Sequence, residues 1–82
     1  LAIASIKEAV KINPLDARSY QIGAQCFKLK NDQTNFNRWV GAMAYGNVKT
    51  QQEFTNAQFY IDEIYQEITG EKVNWEKYFP QQ

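Results

Sequence analysis

Histidine is absent from this 82-residue chain, and cysteine occurs once, at Cys26. A single thiol excludes an intrachain disulfide, and without histidine no Cys/His metal cluster can be built. An enzyme made from this sequence would have to work with carboxylates, Lys, Tyr or Cys26. The four glycines, at positions 23, 41, 46 and 70, are scattered. None of them forms a loop that could cradle a phosphate. No run approaches the roughly 18–20 apolar residues of a membrane span, and no signal peptide is visible. Nothing alternates with period two for long enough to make a sheet. The formal charge is zero, which argues against a domain held on nucleic acid by neutralising phosphates. The chain opens at Leu1, without Met and already in a helical pattern, so it is expected to be a piece of a longer polypeptide.

Hydrophobic residues make up 44% of the chain and aromatic residues 15%, enough for one small compact core. The charges are divided along the sequence. Up to Thr50 there are seven basic residues against three acidic ones, and from Gln51 on there are two against six. Such a dipolar chain either steers an acidic partner to its basic end or draws its own two ends together.

Apolar spacing divides the sequence into four helices. Ala2, Ile3, Ile6, Ala9 and Val10 form one stripe that Asn13-Pro14 ends, because proline disfavours helix at the residue before it. Asp16 is an N-cap for a second helix to about Lys30, with Tyr20, Gly23, Ala24 and Phe27 inward and Ile22, Cys26 and Leu29 on a flank. Asn31-Asp32 breaks the chain before a third helix, about 33–46, with Phe36, Trp39, Val40, Met43 and Ala44, ended by Gly46-Asn47. Thr50-Gln51-Gln52-Glu53 is a capping box in which Thr50 and Glu53 satisfy each other's backbone N–H groups. It opens a long fourth helix whose face is Phe54, Ala57, Ile61, Ile64, Tyr65 and Ile68 and whose terminator is Gly70. The expected organisation is an all-α domain over residues 1–70, followed by a tail over 71–82 that holds Val73, Trp75, Tyr78 and Phe79 and closes at Pro80.

The first segment, Ala2 through Pro14, resembles the second helix and terminal turn of a tetratricopeptide repeat, with Ala2, Ile6, Ala9 and Pro14 at the family's small, large, small and proline steps. Tyr20, Ala24 and Phe27 continue the resemblance into the next helix, and Asn31 stands where glycine is usual. In the third helix Phe36 and Met43 fall on small-residue steps. A shift of one residue would align Trp39 and Ala42 instead, so the register stays open there. The resemblance covers roughly residues 1–46. It implies antiparallel helical hairpins stacked into a curved solenoid that binds peptides or partner domains, Ala9 at a close helix–helix contact, and the fourth helix as a terminal cap.

Candidate functional residues follow from these patterns. Glu63 and Glu67 are i,i+4 neighbours beside Asp62, and paired carboxylates of this kind do acid–base work or form the solvated face of their helix; the second reading is adopted. Cys26, among apolar neighbours, reads as a small buried residue. No catalytic, cofactor-binding or metal site is expected, and the chain is read as not an enzyme. The expected partner surface joins Gln21, Gln25, Lys28 and Arg38 of the basic half to Tyr45, Phe59 and Tyr60, aromatic residues off the main stripes. In a repeat groove the first four would hold peptide backbone, an acidic peptide or a C-terminal carboxylate; on a plain surface they do nothing, and the acids of the fourth helix compete for them. The three aromatic residues form an exposed patch or pack against a neighbouring repeat. The function these features imply is a protein–protein interaction scaffold. The alternatives are a soluble accessory end of a larger enzyme or secretion component, and a homo-oligomerising bundle.

Overall fold

The computed structural model describes residues 2–78, with side chains from Ala4 to Lys77. Sequence expectations for the side chains of Ala2, Ile3 and Tyr78, and for Phe79 and Pro80, lie outside the described residues. Among the described residues the protein is all-α. Its helices are α1 (Ala2–Ile12), α2 (Ala17–Leu29), α3 (Gln33–Met43), α4 (Gln51–Thr69) and the short α5 (Trp75–Tyr78), with a 3-10 turn at Ala44–Asn47.

The helix ends follow local chemistry. Asp16 starts α2 by accepting from the Arg18 N–H at 3.2 Å and the Ser19 hydroxyl at 3.1 Å. Asp32 starts α3 by accepting from the Asn35 N–H and its side-chain amide, at 3.2 and 2.8 Å. Thr50 accepts from the Glu53 N–H at 3.1 Å, but Glu53 reaches back to the N–H of Lys49, not that of Thr50. The box is therefore one residue wider than expected, and its carboxylate meets the backbone N–H just before the N-cap. Asn31 terminates α2 at φ 58°, and Gly70 terminates α4 at φ 79° with its N–H on the Gln66 carbonyl. Gly46-Asn47 does not end an α-helix as expected. The α geometry stops at Met43, and the chain tightens into the 3-10 turn before Val48 extends.

Short turns make consecutive helices neighbours, and the side-chain pairings give their direction. Arg38 of α3 faces Glu63 and Glu67 of α4, Gly41 faces Tyr60, and Tyr45 faces Phe54, so ascending positions in one helix meet descending positions in the other. α1 packs on α2, α2 on α3, α3 on α4, and α4 returns to α1. The backbones of α2 and α4, and of α1 and α3, stay apart, so the four helices form a closed ring around one core. In a solenoid each hairpin touches only its neighbours, whereas here α1 and α4 meet although the whole α2–α3 hairpin separates them in the chain.

The core inside this ring is Ile6, Val10, Tyr20, Ala24, Trp39, Ala42, Ile61, Ile64 and Tyr65. In α3 the deeply buried pair is Trp39 and Ala42, while Phe36, Val40 and Met43 pack at its edge. The Trp39 indole lies between Tyr20 and Phe27, at centroid distances of 5.9 and 5.6 Å, and directly over Gly23. The small-residue surface of α2 thus receives the largest side chain of α3. Ala9 is half-buried and faces a shallow trough between α1 and α2. Cys26, expected in the interior, is also only half-buried, because it lies on the flank of α2 that turns away from Trp39. Of the segment after Gly70, expected as a tail over 71–82, the described residues pack onto the body. Val73 is buried within the core cluster, and the Trp75 indole N–H donates to Asp62 Oδ1 at 2.7 Å.

Candidate binding groove between α2 and α3

The outward side of the α2–α3 pair is an open trough. From α2 it is lined by Ala17, Arg18, Gln21, Ile22 and Gln25, and from α3 and the following turn by Val40, Met43, Ala44 and Asn47. α4 packs on the opposite side of α3 and leaves this trough uncovered. Its floor is aliphatic, and Ile22 is 44% exposed within it. Its rim carries the amides of Gln21, Gln25 and Asn47 and the guanidinium of Arg18. Among the described residues no acidic side chain lines it.

The expected partner residues do not form one surface. Gln21 and Gln25 lie on the trough, and Lys28 continues their row on α2, exposed at the turn beside Asp32 and Phe36. Arg38 is elsewhere and occupied. Its Nε and Nη2 reach Glu63 Oε1 at 3.0 and 2.8 Å, Nη1 donates to Asn35 Oδ1 at 2.7 Å, and Nη2 also contacts Glu67. Hydrogen bonding to Glu67, and then to Glu63, raises its pKa further above the usual arginine value. The acids of α4 have taken this guanidinium, so Arg38 holds α3 to α4 and is not offered to a peptide. The same contacts use the carboxylate pair that a catalytic reading would need.

The three aromatic residues also separate. Tyr45 is half-buried, with ring contacts to Phe54 at 5.0 Å and Trp75 at 6.1 Å, and burial raises its phenol above the ordinary value. Tyr60 is half-buried against Gly41. Phe59 alone of the three is largely exposed, at 58%. No exposed three-residue patch exists, because Tyr45 and Tyr60 fill the space where α4 crosses the end of α3. Among the described residues no group of three His, Cys, Asp or Glu side chains is placed to hold a metal ion, and no helix is long and apolar enough to cross a membrane.

Sequence reasoning missed Arg18, and it listed Val40 and Met43 with the apolar residues of the third helix without giving them a place in a partner surface. The available signal was the second apolar flank of α2, since a helix with Ile22 on the side opposite its core stripe has an apolar side chain left to cover.

The clamp has a measurable consequence. Arg38→Met is expected to destabilise the domain by about 1–2 kcal/mol in chemical denaturation, and the loss should shrink as salt is raised. Glu67→Gln should cost less than half as much, because Glu67 is 59% exposed and water replaces its partner. Equal stability of Arg38→Met and parent at low salt would show that the clamp contributes nothing.

Compared with protein-family models, with curated proteins and with solved structures, the chain matches none of them.

Proposed function

We propose that this domain is a protein-interaction module, not an enzyme, and that it binds a segment of another protein along the α2–α3 trough. The observation that carries this reading is the trough itself. Ile22 stands open between two helices, with half-buried Val40 and Met43 facing it, framed by polar side chains on the rim. The resemblance of residues 2–27 to a tetratricopeptide repeat supports the same reading, since that family uses helix faces to hold peptides and partner domains. In this reading α4, closed back against α1, ends the helical stack as a cap does. Gln21 and Gln25 remain the partner-binding residues expected from the sequence, now joined by Ile22, Val40 and Met43.

Short random peptides displayed on phage and selected against the whole chain provide the test. Enriched peptides should shift the backbone resonances of Gln21, Ile22, Gln25, Val40 and Met43, and Ile22→Gln should weaken them by about fivefold, or roughly 1 kcal/mol. Peptides that perturb other residues only, or that bind Ile22→Gln as well as the parent, would remove the trough as the site.

A further inference from the structure

α2 is apolar on two sides. Tyr20, Gly23 and Ala24 are buried in the ring, whereas Ile22, Cys26 and Leu29, at i, i+4 and i+7, run along the outside, with Leu29 84% exposed. Apolar residues on both sides are the pattern of a helix that has neighbours on both sides. The trough beside this flank has a definite texture. Its lining steps through positions 17, 18, 21, 22 and 25 on α2, and through 40, 43, 44 and 47 on α3 and its continuation. Each set is one helical stripe, and the α2 stripe is ~12 Å long. Two parallel stripes leave a furrow of the kind that accepts the side-chain ridge of a third helix. An extended chain fits it less well, because its unpaired backbone N–H and C=O groups would lie against aliphatic carbon with few rim amides to meet them. A helix brings its backbone already hydrogen-bonded.

The rim adds a charge pattern. Arg18, Gln21 and Gln25 line the trough and Lys28, just beyond its lining, continues their row on α2, so a basic residue stands at each end, about 15 Å apart. Among the described residues neither basic side chain is in an ion pair, although Asp32 lies near Lys28 and Asp16 near Arg18, in contrast to Arg38, which contacts two carboxylates. With no acid in the trough lining, the electrostatic complement is a carboxylate row on the partner. We infer that the trough seats an amphipathic helix of a partner protein, with its apolar ridge on Ile22, Val40 and Met43 and carboxylates about three turns apart facing Arg18 and Lys28. This rests on the trough being the partner site.

The inference is tested with four synthetic peptides of about four helical turns. The first has leucines at i, i+3, i+4 and i+7 and a glutamate flank. The second has lysine for glutamate, the third has glutamine for glutamate, and the fourth is the glutamate peptide with a central proline. Each is titrated by fluorescence anisotropy against the full chain and against Ile22→Gln and Arg18→Gln/Lys28→Gln. The glutamate peptide should bind at least about tenfold more tightly than the lysine and proline peptides. The Arg18→Gln/Lys28→Gln variant should lose the preference for glutamate over glutamine while binding the glutamine peptide as the parent does. Ile22→Gln should weaken the glutamate and glutamine peptides alike. If the proline peptide bound as well as the helical one, and Ile22→Gln still weakened it, the helical occupant would be wrong and the trough would stand. Equal binding of glutamate and lysine peptides would overturn the carboxylate partner alone. Failure of every peptide, or indifference to Ile22→Gln, would overturn the trough reading itself.

Discussion

Gly23→Ala is expected to lower the unfolding free energy by about 2 kcal/mol, although alanine is the better helix former by about 1 kcal/mol. The reason is space. A Cβ at position 23 would lie 2.2 Å from Cε3 and Cζ3 of Trp39, whose indole is buried between Tyr20 and Phe27 and has nowhere to move. Two other glycines serve as controls. At Gly41 the added carbon meets Tyr60 at 2.5 Å, but Tyr60 is half-buried and can turn outward, so Gly41→Ala should cost less than about 1 kcal/mol. At Gly46 nothing lies within 4 Å, and Gly46→Ala should be close to neutral. Trp39→Ala would remove about 3–5 kcal/mol, a large share of the roughly 4–12 kcal/mol that a domain of this size holds. The milder Trp39→Phe is therefore the background in which to repeat Gly23→Ala. There the penalty should vanish, since the shorter ring no longer covers position 23, and the cycle would show a coupling of about 2 kcal/mol. If Gly23→Ala cost the same in both backgrounds, the indole would not be the cause.

The second large effect appears in alkali. Tyr20 is fully buried, and its hydroxyl donates to the Pro14 carbonyl. Burial, reinforced by the negative charge of Asp16, pushes its phenol well above the ordinary value near 10. The protonated form is thus favoured in the folded state. This contribution is fully present below pH 10, where folded and unfolded chains are both protonated. It is lost as pH rises beyond 10, because only the unfolded chain then releases the proton. The expected slope from this group is about 1.4 kcal/mol per pH unit above pH 10. Tyr20→Phe should be less stable than the parent by about 1–2 kcal/mol at pH 7, since it leaves a buried carbonyl without its donor. Its stability should fall less steeply in alkali, so that the two curves converge above pH 10. Parallel curves from pH 8 to 12 would mean that Tyr20 does not couple ionisation to folding.

Both effects depend on contacts between helices, and such contacts mark the limit of what could be read along the chain. The four main helices were legible, because their signals lie within a few residues of the structure they cause. Asp16, Asp32 and Thr50 each bond an N–H two or three positions on. Asn31 and Gly70 adopt left-handed geometry, which asparagine tolerates and the missing Cβ of glycine allows. The buried faces of α2 and α4 follow the apolar period, from Tyr20 and Ala24 to Ile61, Ile64 and Tyr65. In α3 the same period fits two registers, and only the fit of the Trp39 indole over Gly23 selects the face with Trp39 and Ala42.

Tertiary structure decided the partners. Arg38 had carboxylates 25 and 29 positions away as well as solvent to choose from, and the approach of α3 to α4 made the choice. Tyr45 and Tyr60 lie off their helical stripes yet are half-buried, because Trp75 stacks on the first and α3 at Gly41 lies against the second. The segment after Gly70 has no period to read, but Asp62 and the core give Trp75 and Val73 places to dock. The closed ring, and with it the uncovered side of α2 and α3, depends on how four amphipathic faces share one interior. A residue's neighbours in sequence carry its preference for helix. They carry no record of which helix it will meet, and that meeting determined which charges are neutralised and which apolar surface stays exposed.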